Sequence, residues 1–278
     1  MPSFDTPGPI SATLEFDIAS VRITAGKRTD TVVEVRPADA TVEVDVKTAE
    51  QTRISCTGGV LVVKGPKKRS LFGRAGSVDV TVELPAGSEV RGNVPMGDFL
   101  CEGLLGDCRL RTSVGRIHVE HAAAVDLRTD HGDIRLQHAG GDAEVAGSGR
   151  VEIGTVEGTA TLKNLNGETV VGEVGGSLRA NSSNGQITVG VAHADVDVKS
   201  AHGAIRIGEV VRGRVVLQTG VGELEVGIRE ATAAWLDVHT KLGTVRNALG
   251  ATDGPGGAAE TVEVRGRTQL GDILIRRS

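Results

Sequence analysis

Along most of the chain, apolar and polar residues alternate one for one in short runs that stop at a glycine. Residues 124–136, Ala-Val-Asp-Leu-Arg-Thr-Asp-His-Gly-Asp-Ile-Arg-Leu, show the pattern most plainly. Val125 and Leu127 alternate with polar residues, a polar corner Thr129-Asp130-His131-Gly132 follows, and Ile134 and Leu136 resume the alternation. A period of two puts the apolar side chains of each run on one face, as in a half-buried strand. Two such runs and a bend bury almost nothing alone, so the unit must stack on copies of itself.

The chain supplies those copies. Corner glycines stand at Gly97, Gly115, Gly132, Gly149, Gly167, Gly185, Gly203, Gly222, Gly243 and Gly271, with first steps of 18, 17, 17, 18, 18 and 18 residues and later ones of 19, 21 and 28. A fixed short period of this kind predicts a solenoid. Apolar pairs two and four residues after the glycine (Ile117/Val119, Ile134/Leu136, Val151/Ile153, Ile187/Val189, Ile205/Ile207, Leu224/Val226) are expected to point inward. A third inward position is assigned to Val156, Val174, Val191, Val210 and Ile228. Three residues before the glycine stands Thr112, Thr129, Asn164, Ser182, Ser200, Thr219, Thr240 or Thr268. Ala146 takes that place in its own rung, and Thr169 takes an apolar place.

The expected fold is all-β: an N-terminal antiparallel β-sandwich-like region running into a single-stranded parallel β-solenoid with rungs of about 18 residues. Residues 1–10, with three prolines and a glycine, read as a flexible arm. Residues 11–88 read as antiparallel hairpins capping the solenoid, with Ala40–Val46 as one alternating strand. Residues 89–278 form the solenoid, with a Gly-rich loop at 251–259 and a final rung at 261–275. Glu230–Leu236 suits a helical turn, with Trp235 covering a core edge. Arg265, Arg267, Arg276 and Arg277 crowd the last rung, an arrangement that disfavours open-ended stacking. The expected state is a monomer or a small closed oligomer.

Composition agrees with a thin aliphatic core. There are 39 glycines, four phenylalanines, one tryptophan and no tyrosine. Net charge is −5, and neither 1–88 nor 89–278 has the basic excess of a nucleic-acid binder. Cys56, Cys101 and Cys108 have no metal-ligand spacing and read as reduced thiols, which suits the cytoplasm. The first residues show no signal peptide, and no apolar run reaches the length of a membrane span.

Candidate chemistry is sparse. His118, His121, His131 and His138 lie near Asp126, Asp130 and Asp133, but at polar alternation positions, so no metal site is expected. The column after the corner glycine mixes signs (Arg116, Asp133, Arg150, Glu168, Gln186, Ala204, Glu223, Thr244), without the recurring carboxylate pair of a β-helix hydrolase. No phosphate-cradling Gly-rich loop precedes a helix. The residues point to no enzyme and no cofactor. One segment stands out, Lys64–Gly76, with Lys64, Lys67, Lys68, Arg69 and Arg74 around Leu71 and Phe72 and no acidic residue. It is the candidate docking loop for an unidentified protein partner, and membrane contact is expected only through it.

The run Ser77-Val78-Asp79-Val80-Thr81-Val82-Glu83-Leu84-Pro85-Ala86-Gly87-Ser88, followed by Gly-x-Ile-x-Val rungs, resembles a bacterial β-strand-repeat family, the "putative adhesin" domain (DUF4097), over about residues 11–278. The resemblance implies a repetitive β fold and brings no catalytic residues. It also implies an alternative role, an envelope-associated adhesin-like or stress-response protein. A carbohydrate-active β-helix enzyme is the third reading. The first remains a non-catalytic bacterial scaffold or protein-interaction module.

Overall fold

Glycine recurs because the corner has no room for anything else. At Gly115, Gly132, Gly185, Gly203, Gly222 and Gly271 φ lies between +128° and +152°, a region essentially closed to other residues. A Cβ at Gly203 would sit 2.1 Å from the carbonyl oxygen of Gly185, one rung away. The corner hydroxyl has a matching task. It donates to the corner-glycine carbonyl of a neighbouring rung: Thr129 to Gly115 at 3.0 Å, Thr219 to Gly203 at 2.9 Å, Thr268 to Gly222 at 3.0 Å and Thr240 to Gly271 at 2.9 Å. At these four corners the bend is tied to a neighbouring one by a bond that strand pairing alone does not supply.

The computed structural model describes residues 1–66, 75–250 and 258–278. The chain forms two compact units, Met1–Gly140 and Gly141–Ser278. Each is built from two mostly parallel sheets, one collecting the strands before the corners and the other those after them.

In Met1–Gly140 the first sheet runs in the order Val125–His131, Cys108–Val114, Glu89–Asn93, Ser11–Glu15, Val60–Lys64, Arg53–Thr57. The second runs Ile134–Ala139, Ile117–Ala122, Phe99–Leu105, Ala19–Gly26, Val78–Pro85, Asp30–Pro37, Ser3–Asp5. Antiparallel pairing is present at the N-terminal side, where among the described residues it involves Ser3–Asp5, Asp30–Pro37 and Arg53–Thr57. The strands Ser11–Glu15, Ala19–Gly26, Val60–Lys64 and Val78–Pro85 are already parallel rungs. The rung made of 11–26 lies between those made of 60–85 and 89–105, so spatial order departs from chain order. Ser3–Asp5, expected in a loose arm, is a short strand paired to Asp30–Pro37.

The alternation of Ala40–Val46 misleads. Glu43–Gln51 is an α-helix. Its buried Asp45 accepts backbone N–H bonds from Ser77 at 2.8 Å and Asp39 at 3.3 Å, while Val42 is exposed. A strand there would bury valines but lose this anchor. Gly76 lets the helix approach, since a Cβ on it would lie 2.3 Å from the Val44 carbonyl oxygen.

In Gly141–Ser278 pairing is parallel throughout the described strands. The first sheet runs Ala143–Gly147, Ala160–Asn164, Leu178–Asn184, Val196–His202, Gly213–Val221, Glu260–Leu270, Thr232–Leu242. The second runs Val151–Val156, Thr169–Val174, Ile187–Ala192, Ile205–Val210, Leu224–Ile228, Ile273–Arg277, Val245–Asn247. Ile187, Ile205 and Leu224 are buried in one column, as the periodicity predicts. Thr169 shares that column. Its hydroxyl accepts a 3.1 Å bond from Asn164 Nδ2, so the polar atom is satisfied inside. The third inward column holds Val156, Val174, Ala192, Val210 and Ile228. Val191 is displaced from it by one residue and only half-buried. Gly147, not Ala146, aligns with Asn164, so that rung is one residue shorter at its corner.

The C-terminal order is interleaved as well. Glu260–Leu270 inserts between Gly213–Val221 and Thr232–Leu242, and Ile273–Arg277 inserts between Leu224–Ile228 and Val245–Asn247. The last rung in the chain is therefore not the last in space. Glu230–Leu236 holds no helical turn; it leads into the edge strand.

Candidate interaction surface

Parallel stacking converts sequence positions into columns, so side chains one period apart become neighbours. On the outer faces this pairs charges across rungs. Asp98 meets Arg116 at 2.9 Å, Arg150 meets Glu168 at 3.7 Å, Arg206 meets Glu223 at 3.4 Å and Arg229 meets Glu209 at 2.6 Å. Each such exposed pair contributes no more than about 1 kcal/mol. In each of these pairs the sign of the charge changes from one rung to the next. Asp98 is held below the ordinary carboxylate range: burial works against ionisation, but the Arg116 backbone N–H and guanidinium outweigh it.

The histidines take register from the same stacking. His121 stands beside His138, ring centroids 5.8 Å apart, while His118 pairs in register with Arg135 and His131 with Val114. Among the described residues, no three His, Cys, Asp or Glu side chains gather as metal ligands. Cys56, Cys101 and Cys108 are free. Cys101 and Cys108 are buried, and a hydrogen bond to Cys108 together with burial pushes the Cys101 thiol well above its ordinary value. Such a thiol is a poor nucleophile.

Of the candidate docking loop, Lys64 ends the strand Val60–Lys64, with Nζ 3.0 Å from Glu15 Oε2. Lys67, Lys68, Arg69, Leu71, Phe72 and Arg74 lie outside the described residues. Among the described residues, no helix is long and apolar enough to cross a membrane.

The surface that sequence reasoning missed is made by the interleaved C-terminal rungs. In the first sheet, Val196, Val215, Val264 and Leu236 share one inward column, and Val198, Leu217, Gly266 and Val238 the next. Every member of these columns is buried except Leu236 and Val238, which are half-exposed because Thr232–Leu242 stands last in the sheet among the described residues. Val245, last in the Leu224–Ile273 column, is 41% exposed. Gly266 has no side chain to fill its layer, and Val238 and Leu224 approach to within 3.2 and 3.6 Å of where its Cβ would be. At the corner, Val221, Leu270 and Leu242 align in register and are 43%, 49% and 67% exposed. Trp235 is 56% exposed, with the Arg265 guanidinium 5.9 Å from its ring centre. Among the described residues, five of the twelve exposed large apolar side chains thus fall on these adjoining rungs, a concentration that scattered surface residues do not show.

The arginines expected to guard this end do not do so. Arg265 pairs with Glu263 at 2.6 Å, Arg267 with Asp237 at 2.6 Å and Arg276 with Glu225 at 2.9 Å. Arg277 donates to the carbonyls of Arg229 and Thr232. All four belong to the rung that lies inside the edge.

No family model matches the chain, and no curated protein matches it. Solved structures align with it along nearly its whole length. A "putative cell adhesion protein" from Clostridium sporogenes is 9% identical, covering 100% of this chain and 98% of the other at a TM-score of 0.27. A "putative adhesin" from Bacteroides fragilis is 12% identical, covering 99% and 95% at 0.36. Another from Parabacteroides distasonis is 10% identical, covering 98% and 95% at 0.36. At such identities and scores, neither partner nor activity carries over to this chain.

Proposed function

We propose that the protein is a non-catalytic scaffold that binds protein, with the interleaved C-terminal rungs as its contact surface. The carrying observation is the group of Trp235, Leu236, Val238, Leu242, Val221 and Leu270 at the end of one sheet, with Val245 at the end of the other, beside a strand that stands last in its sheet among the described residues. Exposed apolar area joined to a free β-edge is the surface that binds another polypeptide through backbone hydrogen bonds and side-chain pockets. The outer faces, where charges pair from one rung to the next, suit the same reading. The basic segment around Lys67–Arg74 is a second candidate contact for an acidic partner. The compartment we propose is the cytoplasm, since Cys101 and Cys108 are buried free thiols.

The test is capture of binding partners with the full chain as bait, beside Trp235→Glu and Leu242→Lys. The reading expects bound protein that both substitutions remove. Binding unaffected by either, or turnover of a polysaccharide by the purified protein, overturns it.

A further inference from the structure

We infer that the occupant of the open edge is a second copy of this chain, paired antiparallel through Thr232–Leu242 about a twofold axis at Val238. The inference rests on the reading of that edge as a contact surface and names its partner.

Sheet edges are normally blunted by short strands, prolines, bulges or inward-pointing charges. In Met1–Gly140 the outermost strands are Ser3–Asp5, three residues long beside Pro2, and Arg53–Thr57, five residues long. Thr232–Leu242 has eleven residues and no proline, and its inward positions Ala234, Leu236 and Val238 are apolar. Among the described residues it ends two core columns without covering them. Another rung of the same spacing covers both, and an antiparallel copy of this rung sets Val238 on the second column and the methyl group of Thr240 on the first.

Charge selects the direction. Along the outward side of the strand the order is Trp235, Asp237, His239, Lys241. Asp237, which also bonds Arg267, stands in the first half and Lys241 in the second. An antiparallel copy centred on Val238 brings Asp237 opposite His239 of the other copy and Trp235 opposite Lys241, each contact made twice by symmetry. A carboxylate facing an imidazole N–H and a cation over an indole face are favourable cross-strand pairs. On the inward side Val238 meets its own copy and Leu236 meets Thr240. The contact is isologous and closes at two copies.

Sedimentation equilibrium of the full chain from about 1 to 100 μM tests this, beside Lys241→Glu and Val238→Cys. Lys241 is exposed, so its replacement leaves the fold intact. The expected result is a reversible dimer whose dissociation constant rises about tenfold or more in Lys241→Glu, because the cation facing Trp235 is lost and a carboxylate stands in its place beside Asp237. Val238→Cys is expected to form a disulfide between copies under mild oxidation, since a residue on the axis lies opposite itself at a bridgeable distance. A wild-type protein monomeric across the range, filaments in place of dimers, or a dimer insensitive to Lys241→Glu whose Val238→Cys variant forms no bridge between copies overturns the inference. A monomer that still captures another protein through Trp235 and Leu242 refutes the self-pairing alone and leaves the scaffold reading standing.

Discussion

Replacing Gly203 by alanine probes the stacking geometry at a single atom. Gly203 has φ +151°, and an added Cβ would lie 2.1 Å from the carbonyl oxygen of Gly185 and 2.6 Å from its carbonyl carbon. Both are backbone atoms, so no rotamer change relieves the clash. Relief requires the two rungs to separate by about 1 Å at the corner, out of a spacing of about 4.8 Å. That movement stretches the bond from Gly185 N–H to the His202 carbonyl, now 2.9 Å, and that from Ile187 N–H to the Ala204 carbonyl, also 2.9 Å. Backbone strain, overpacking and weakened hydrogen bonding together make a cost of about 3–6 kcal/mol. Gly250 supplies the control: nothing lies within 4 Å of its Cβ position and its φ is unexceptional. Gly250→Ala should change stability by less than about 0.5 kcal/mol. Urea titrations followed by far-ultraviolet circular dichroism compare the two with the parent. A Gly203→Ala protein within about 1 kcal/mol of the parent would show that the corners do not stack in contact.

The corner hydroxyls give a paired expectation. Thr219 donates to Gly203 at 2.9 Å, whereas the buried Ser200 hydroxyl has no partner, so Thr219→Ala should cost about 1–2 kcal/mol and Ser200→Ala close to nothing by the same titration. Asp98 sets a pH dependence. Its folded pKa lies below its unfolded value, so its stabilisation is present above the unfolded carboxylate pKa and lost as pH falls through the folded one. Asp98→Asn should therefore lower the urea midpoint at neutral pH, and the gap from the parent should close on acidification through the carboxylate range; a gap independent of pH would show that the Arg116 contacts do not matter.

The periodic part of the molecule is legible because one physical rule repeats. Wherever a corner glycine is followed by apolar residues at the second and fourth positions, as at Ile134/Leu136 and Ile187/Val189, the inward columns follow from alternation alone. Slips occur where the count changes locally. One residue is missing before Gly149, which moves Gly147 into the hydroxyl column, and a bulge between the second and third inward positions puts Ala192 where simple counting places Val191. That bulge leaves a trace in the sequence at five of the ten corners, a glycine five residues after the corner glycine at Gly154, Gly172, Gly190, Gly208 and Gly227. A Cβ at Gly190 would lie 2.3 Å from the Gly172 carbonyl oxygen, which is why the position stays glycine. Helix Glu43–Gln51 is hidden because its valines alternate, while the feature that fixes it, buried Asp45 accepting bonds from distant amides, is tertiary. The interleaved ends are illegible for a deeper reason. Any rung of this pattern stacks on any other, so periodicity shows that rungs pair without showing which. Face for face the two strands match: Val262, Val264 and Gly266 align with Ala234, Leu236 and Val238, and Arg265 and Arg267 with Asp237 and His239.

Rung order at the C-terminal end is where the account is most exposed, since the contact surface exists only if Glu260–Leu270 lies inside Thr232–Leu242. Cysteine pairs read this order directly. Gln218 and His239 each align with Arg267, on opposite sides of it. Neighbouring strands lie about 4.8 Å apart, within reach of a disulfide, and strands two apart lie about 9.6 Å apart, beyond it. With Cys56 replaced by serine and peptide mapping under mild oxidation, Gln218→Cys/Arg267→Cys and His239→Cys/Arg267→Cys should each close an intrachain bridge. Gln218→Cys/His239→Cys should not. Efficient bridging of Gln218→Cys to His239→Cys, with none from Gln218→Cys to Arg267→Cys, would restore chain order to the rungs and contradict the account.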